Sequence, residues 1–238
     1  MSLKKSRTIL LAFTFLNLLS AHAQQTARFI ENPAYKPALG GLIGTTGIGL
    51  AFYHPLGVQF GLEVGAGLMP YNMQVVGTYG DYPTRSVARA RLHNAHLLFG
   101  WVPFHGAENG FRHLTINLGM GYLFKAKGTI TTQLRDPQSY GDIELQPEEI
   151  GTMYTTINWK ESVTPYAGLG FSDMRIDEHF GFNIALGGYF LSQPSVTVKG
   201  TAMLEDNEIN QPIIERNIQN YRYLPNLQLG IAYSFYAY

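Results

Sequence analysis

The C-terminal segment of the chain, residues 221–238, alternates between apolar and polar or small side chains with a period of two. Its odd positions from Tyr223 to Phe235 are apolar or aromatic, and most residues between them are polar or small. This pattern predicts one long β-strand with an apolar face and a polar face. Strands of soluble proteins usually have ~5–6 residues, whereas a tilted strand that crosses a bilayer needs ~9–11. The length therefore favours a strand of a membrane barrel.

The same alternation recurs along the rest of the chain and predicts six further strands. They cover residues 42–54, 58–68, 88–101, 111–124, 157–171 and 180–191. In the third of these strands the phase is ambiguous at residues 94–96, where a β-bulge would exchange the two faces. With such a bulge, Arg89 and Arg91 lie on the inward, polar face of the barrel.

The links between the predicted strands are alternately short and long. The short links are 54–57, 103–110 and 172–178, and the long ones are 70–85, 127–155 and 192–221. Outer-membrane barrels place short turns in the periplasm and long loops outside the cell, so we expect that arrangement here. Within the long links, Pro147–Ile150 predicts one helical turn, with proline first and acids at its positive end. Residues 212–218 predict either a short helix or a loop packed on the barrel mouth.

This topology requires an eighth strand, because strand 42–54 then runs from the outside towards the periplasm. Residues 27–41 are the segment that can supply it, although Pro33 and Pro37 disfavour a strand. Eight strands give the even number that these barrels have and close the sheet without exposed edges. The expected fold class is therefore an all-β, transmembrane, antiparallel up-and-down β-barrel of eight strands.

The N-terminal residues have the features of a secretory signal peptide. Three basic residues precede an apolar run at 9–19, and a small-x-small cleavage site, Ala-His-Ala, ends at Ala23. The apolar run is too short to span a bilayer as a helix. We expect residues 1–23 to be removed on export and residues 24–238 to form one outer-membrane β-barrel domain.

Composition and charge exclude several classes of function. The chain has 17 Lys and Arg against 17 Asp and Glu, and three of the basic residues, Lys4, Lys5 and Arg7, fall in the signal peptide. The remaining 14 basic residues give the mature protein no basic field, so nucleic acid is not an expected partner. The absence of cysteine excludes disulfides and thiolate metal sites.

Five stretches of the predicted strands carry a family resemblance. They are GTTGIGL at 44–50, WVPF at 101–104, VTPYAGLGF at 163–171, GFNIALG at 181–187 and PNLQLGIAYSF at 225–235. These stretches resemble the small bacterial outer-membrane β-barrel proteins of the OmpA-like, eight-stranded type. The resemblance implies a Gram-negative cell envelope, with outer-membrane lipid and lipopolysaccharide around the barrel. Larger members add a periplasmic peptidoglycan-binding domain, and we expect none here because the chain ends before one could begin.

Members of this family commonly end on an aromatic residue that the barrel-assembly machinery recognises during insertion. Phe235 matches that residue, but Tyr236, Ala237 and Tyr238 follow it in this sequence. The resemblance therefore implies an insertion signal within Phe235, Tyr236 and Tyr238, with the assembly machinery as a transient partner.

The interior of the predicted barrel contains both signs of charge. Glu63 is the one acid clearly on an inward face, and the inward cations are Arg89, Arg91, Lys160 and Arg222. An eight-stranded barrel is just wide enough for side chains to fill its interior. Because a buried charge needs partners, we expect these residues to form a network that closes the lumen to sizeable solutes.

No constellation in the sequence specifies a catalytic, cofactor or metal site. Eight-stranded outer-membrane barrels include lipid A deacylases and palmitoyltransferases, but a Ser-His hydrolase on a strand usually shows His and Ser two positions apart, and the sequence has no His-x-Ser. The histidines are expected in turns or interfaces. The leading hypothesis is a non-enzymatic structural or interaction protein that presents long extracellular loops to a surface or envelope protein. A lipid A-modifying enzyme and a narrow pore are the alternatives.

Overall fold

Twelve β-strands lie in the part of the chain that the structure, a computed structural model, describes, namely residues 32–160 and 162–235. The predicted signal peptide, 1–23, lies outside the described residues. The strands are β1 (Ala38–Gly44), β2 (Gly47–Pro55), β3 (Phe60–Tyr79), β4 (Tyr82–Trp101), β5 (Leu114–Leu134), β6 (Gln138–Tyr140), β7 (Ile143–Leu145), β8 (Thr152–Asn158), β9 (Ser162–Arg175), β10 (Phe180–Phe190), β11 (Ser195–Gly200) and β12 (Tyr223–Ser234).

Eight of these strands close into a ring in the order β1, β2, β3, β4, β5, β9, β10 and β12, and every neighbouring pair is antiparallel. The ring closes where β12 pairs with β1, with Ala38 opposite Ser234 and Gly44 opposite Gln228. Closure removes the open edges that a flat sheet of these strands would have. The predicted antiparallel up-and-down barrel of eight strands is confirmed.

The connections between the strands define two ends of the barrel. The turn end consists of residues 32–37, 56–59, 102–113 and 176–179, and it includes a short 3-10 helix at Gly110–His113. The opposite end, called the loop end, carries the connections between β1 and β2, β3 and β4, β5 and β9, and β10 and β12.

The prediction of one strand at 42–54 is wrong, because this segment belongs to a hairpin of β1 and β2. Gly44 pairs with Gly47, and Thr45 and Thr46 make the turn between them. Gly47 has a φ of 107°, a conformation that favours glycine where the chain reverses. Apolar and small residues alternate on both sides of this turn, so the alternation alone does not show it.

β1 supplies the eighth strand that the topology required. It begins at Ala38, directly after Pro37, so the prolines of segment 27–41 do not interrupt its pairing. The expectation of a strand in this segment therefore holds for its last residues, and the strand continues as far as Gly44.

The segments predicted as long loops, 70–85, 127–155 and 192–221, consist largely of regular structure. β3 and β4 continue through the first of them to a two-residue turn at Gly80 and Asp81, where Gly80 has a φ of 62°. The prediction of a loop there is wrong because polar residues and glycine occur within paired strands that are exposed to solvent.

The outer parts of the long strands form a second layer of the fold at the loop end. β5 pairs with β9 up to Leu123 and then with β8 from Lys127, while β11 pairs with the far edge of β8. The outer parts of β3, β4 and β5 together with β8 and β11 are called the loop-end sheet. The predicted helical turn at Pro147–Ile150 is confirmed, and so is the helical alternative for 212–218, which lies in the helix Gln211–Ile218.

The outward face of the ring is apolar along its middle and aromatic towards both ends. Leu97, Leu118 and Leu186 are exposed by 44%, 57% and 64%, although leucine side chains are usually buried. Aromatic residues near the ends include Trp101, Phe111, Tyr122, Phe124, Phe180, Phe190, Tyr223 and Tyr233. An apolar band between aromatic girdles is typical of barrels that span a membrane. Within 32–160 and 162–235, no helix is long and apolar enough to cross one.

Candidate functional site

The barrel lumen contains a buried acid and a buried histidine on neighbouring strands. Glu63 of β3 and His96 of β4 are 7% and 6% exposed, and His96 Nε2 lies 3.1 Å from Glu63 Oε1. Asn94 Oδ1 lies 3.4 Å from the other ring nitrogen, Nδ1. Gly65 pairs with His96 across the strands, and a Cβ at Gly65 would overlap the imidazole ring. The missing side chain therefore provides the space that lets His96 reach Glu63.

A tyrosine from outside the strands fills the lumen near the turn end. Tyr35 is 1% exposed, and its hydroxyl donates to Asn117 Oδ1 of β5 at 2.8 Å. Its ring lies over Gly61 of β3 and Gly100 of β4, which pair with each other. A Cβ at either glycine would overlap the Tyr35 side chain. This pair of glycines therefore forms the seat on which the ring packs.

The segment that carries Tyr35 is fixed to the barrel by Asn32. The Asn32 side chain donates from Nδ2 to the carbonyl oxygens of Gly57 at 2.8 Å and Phe60 at 2.9 Å. Its Oδ1 accepts from the backbone N–H groups of Ala34 at 3.0 Å and Tyr35 at 3.1 Å. Residues 32–35 are called the plug, because they place the Tyr35 ring inside the turn end of the lumen and hold it there.

The half of the lumen towards the loop end is filled by two tyrosines and an asparagine. The rings of Tyr166 and Tyr189 lie 4.8 Å apart, and both residues are buried. Asn226 Nδ2 lies 3.5 Å from the Tyr166 hydroxyl, and Asn226 Oδ1 accepts from the Thr46 hydroxyl at 2.9 Å. These contacts join β9, β10, β12 and the β1–β2 turn across the interior.

The free space beside this network is small. A cavity of about 10 Å³ is lined by residues that include Thr46, Asn94, His96 and Gln228. A volume of ~10–15 Å³ holds about one water molecule. Side chains from the plug, the Glu63–His96 pair and the two tyrosines occupy the lumen, and the cavity beside them has room for about one water molecule.

Two of the four predicted lumen cations lie on the outer surface of the ring. Arg89 and Arg91 are exposed on the outward face of β4, so their predicted inward orientation is wrong. The register shift that was expected in β4 lies in β5 instead, where His93 and Asn94 pair with Lys125 and Leu123. β4 therefore alternates without interruption, and its even positions, including His96, point inward.

The other two predicted cations lie at the loop end. Lys160 is exposed between β8 and β9, and Arg222 is exposed before β12, where its guanidinium donates to Gln193 Oε1 at 3.1 Å. Glu63 lies within hydrogen-bond distance of His96 and, among the described residues, forms no ion pair with any of the four predicted cations. The predicted network is wrong in its cations because they lie outside the ring or on its outward face.

The predicted insertion signal is described only at its first residue. Phe235 is 53% exposed, its ring packs edge-on against Tyr233 at 6.3 Å, and its N–H donates to the Pro37 carbonyl at 3.1 Å. Tyr236 and Tyr238 lie outside the described residues. The signal therefore stays a prediction.

Two titratable groups at the turn end, Asp177 and His113, have a shifted pKa. Asp177 accepts from the N–H groups of His179 at 2.8 Å and Phe180 at 2.7 Å, and these hydrogen bonds lower the pKa of the Asp177 carboxyl. Partial burial lowers the pKa of His113, whose Nδ1 lies 3.0 Å from the Ser172 carbonyl oxygen. No three His, Asp or Glu side chains within 32–160 and 162–235 form a group that could hold a metal ion.

Sequence reasoning missed His96 and Tyr35 as lumen residues. An uninterrupted period of two from Leu92 to Trp101 would have placed His96 on the inward face, opposite the outward face that carries Leu97. The plug precedes the first strand, and no periodic signal marks Tyr35.

Comparison with solved structures finds the same fold in two proteins of Acinetobacter baumannii. CarO has a TM-score of 0.62 and 18% identity, and the match covers 86% of this chain and 100% of that chain. CarO2 has a TM-score of 0.61 and 18% identity, with 85% and 99% covered. No protein family model and no curated protein matches this sequence.

The ring, its apolar outer surface and this likeness define a transmembrane β-barrel of the outer-membrane type. At 18% identity the likeness concerns the fold alone. The narrower OmpA-like assignment stays a prediction.

Proposed function

We propose that the mature chain is a non-enzymatic, integral outer-membrane protein whose closed barrel holds an ordered sheet at the cell surface. The observation that carries this proposal is the filled lumen beneath a sheet that continues beyond the ring. Tyr35, the Glu63–His96 pair and the Tyr166–Tyr189 pair occupy the interior. A barrel built in this way supports a structure at its mouth more readily than it conducts a solute.

The proposed location rests on the outer surface of the ring and on the N-terminal sequence. The outward apolar band suits a hydrocarbon environment, and the predicted signal peptide at 1–23 provides for export. In this orientation the turn end faces the periplasm and the loop end faces outward. Outer-membrane lipid and lipopolysaccharide surround the band, and the barrel-assembly machinery is the partner during insertion.

The loop-end sheet is the part that would meet a partner outside the cell. β3 and β4 have 20 residues each, about twice the ~9–11 residues that cross a bilayer. In the outer part of β3, Val75 and Val76 are exposed by 42% and 58%, although neighbours in a strand point to opposite faces. Both faces of this hairpin are therefore available, and we propose that they bind a surface or envelope protein.

The orientation can be tested by labelling single cysteines, since the chain has none of its own. Lys199→Cys places the thiol on exposed β11 at the loop end, and Glu108→Cys places it at the turn end. In intact cells a membrane-impermeant maleimide should label Lys199→Cys and should label Glu108→Cys only after the outer membrane is opened. The reverse pattern would contradict the proposed orientation.

The non-enzymatic part of the proposal needs a separate measurement. Lipid A extracted from cells with and without the protein should give the same acylation pattern by mass spectrometry, because we propose that no side chain of the protein acts on lipid A. A deletion strain that lacks the protein, complemented with the parent chain, provides the control. A change in acyl chains that depends on the protein would replace this proposal with a lipid-modifying activity.

A further inference from the structure

Four cations lie together on the outward face of β4 and β5. Arg89 and Arg91 belong to β4, Lys125 and Lys127 belong to β5, and all four are exposed. Arg91 pairs directly with Lys127 across the strands, and Lys125 pairs with His93, two residues from Arg91. These four residues are called the cationic patch.

The patch carries like charges side by side. Like charges directly opposite each other on neighbouring strands, as Arg91 and Lys127 are, destabilise a sheet. Within the described part of the chain, none of the four residues forms an ion pair with a carboxylate. The arrangement therefore suits an anion that comes from outside the chain.

A β-bulge in β5 orients the two lysines. On the turn-end side of the bulge, the even positions of β5 point outward, including Leu118, Met120 and Tyr122. One extra residue near Phe124 shifts the register. On the loop-end side of this bulge, Lys125 and Lys127 are therefore exposed while Ala126 is buried. If the alternation of residues 114–124 continued without this register shift, the two lysines would point into the barrel. The bulge therefore creates the patch.

The patch lies at the outer boundary of the apolar band. On β4, Arg91 is ten residues from Trp101 of the turn-end girdle, which corresponds to ~25 Å across the membrane for a strand tilted by ~40°. On the turn-end side of the patch, the ring of Phe124 stacks on those of His93 and Tyr122, with ring centroids 5.8 Å and 6.4 Å apart. Cations just above an aromatic girdle lie at the level of lipid headgroups.

We propose that the cationic patch binds the phosphate groups of lipid A in the outer leaflet, an inference that rests on the orientation proposed above. The planar guanidinium groups of Arg89 and Arg91 suit bidentate contacts to phosphate, and Lys125 and Lys127 add compact charges beside them. The apolar surface below, which includes Leu97 and Met120, contacts the acyl chains of the same molecule. This continuity favours a lipid headgroup over free phosphate.

The test uses the purified mature protein in detergent and measures lipid binding by native mass spectrometry. The probes are lipid A with both phosphates and the same lipid with both phosphates removed. The parent protein should bind the phosphorylated lipid about tenfold more tightly or better, and millimolar inorganic phosphate should not displace it. Equal binding of the two lipids, or full displacement by inorganic phosphate, would overturn the proposal.

Paired variants then locate the site. Arg91→Gln with Lys127→Gln should weaken binding of phosphorylated lipid A by about tenfold, because two charges leave the headgroup level. Lys199→Gln with Arg216→Gln removes the same charge from exposed positions elsewhere at the loop end and should leave binding unchanged. An equal loss in both pairs would show a nonspecific charge effect and would also overturn the proposal.

Two readouts separate this inference from the proposed function. Slower migration of heated samples on gels reports whether each variant barrel is folded, and the two lipid probes on the parent protein decide the question even when a variant does not fold. Correct labelling of Lys199→Cys with no preference for phosphate refutes the patch alone. Reversed labelling refutes the orientation on which the patch depends.

Discussion

The Tyr35 hydroxyl donates to Asn117 Oδ1 at 2.8 Å and joins two residues that are 82 positions apart in the chain. Tyr35 lies three residues before Ala38, where β1 begins. Asn117 lies on β5, four strands away from β1 in a ring of eight. The hydrogen bond therefore fixes the plug, which precedes β1 in the chain, to a distant strand of the ring. It makes the plug part of the barrel interior.

Removing the Tyr35 ring should destabilise the barrel. We expect Tyr35→Ala to lower the free energy of unfolding by ~3–5 kcal/mol, because a large buried ring leaves a cavity. Tyr35→Phe should cost ~1–3 kcal/mol, since it keeps the ring but leaves Asn117 Oδ1 without its donor. Urea unfolding in lipid vesicles, followed by tryptophan fluorescence, measures both. Tyr221→Ala, at a 66% exposed position, is the matched control, and equal stability of Tyr35→Ala and this control would contradict a structural role for the plug.

The packing of the Tyr35 ring on Gly61 and Gly100 predicts a mutation that destabilises the barrel only while Tyr35 is present. Gly100→Ala should destabilise the barrel by more than ~1 kcal/mol, because the new Cβ would overlap the Tyr35 side chain. In a Tyr35→Ala background the same change should cost little. Gly41→Ala, on β1 with open space around its Cβ, is the control. A cost that is the same with and without Tyr35 would show that the seat has no such role.

The Glu63–His96 pair predicts a graded response to mutation. Glu63→Ala should lower stability by ~1–3 kcal/mol, because it leaves a buried imidazole nitrogen without its hydrogen-bond partner. Glu63→Gln should cost less, since it keeps an acceptor for the His96 N–H. Glu144→Ala, at an exposed position of β7, should have little effect. Heat-modified migration on gels gives the order of the variants, and a Glu63→Ala variant as heat-resistant as the parent would refute the packed lumen.

The C-terminal aromatic residues predict where the insertion signal lies. If Phe235 is the recognised aromatic, a chain truncated after it should insert normally, because β12 ends at Ser234 and keeps its pairing with β1. Removing Phe235 as well should block insertion. Fractionation of outer membranes followed by the folded-barrel gel assay measures this. Normal insertion after the second truncation would remove the terminal aromatic from the assembly mechanism.

The barrel class was predictable because alternation with a period of two reports directly on strands with two different faces. The same rule placed Glu63 on an inward face. It did not identify the turn between β1 and β2, because this turn has only two residues and apolar and small residues alternate in the strands on both sides of it. The turn depends on a backbone conformation that the alternation does not record.

The partners of Glu63 could not be predicted because they depend on pairing between strands. A bulge in either β4 or β5 fits the change of phase near His93, and the choice between them decides whether Arg91 or His96 points inward. The plug depends on hydrogen bonds from Asn32 to carbonyl groups of the β2–β3 turn. Such contacts arise from the tertiary fold and leave no periodic pattern around Tyr35.

Closure of the lumen by side chains can be measured directly by single-channel recording. The purified mature protein, folded and reconstituted into a planar bilayer, is recorded over a range of voltages. Because Tyr35, Glu63, His96, Tyr166 and Tyr189 fill the interior, we expect no stable conductance steps above those of the bare bilayer. Large and stable conductance from the unmodified protein would contradict a lumen closed by these side chains.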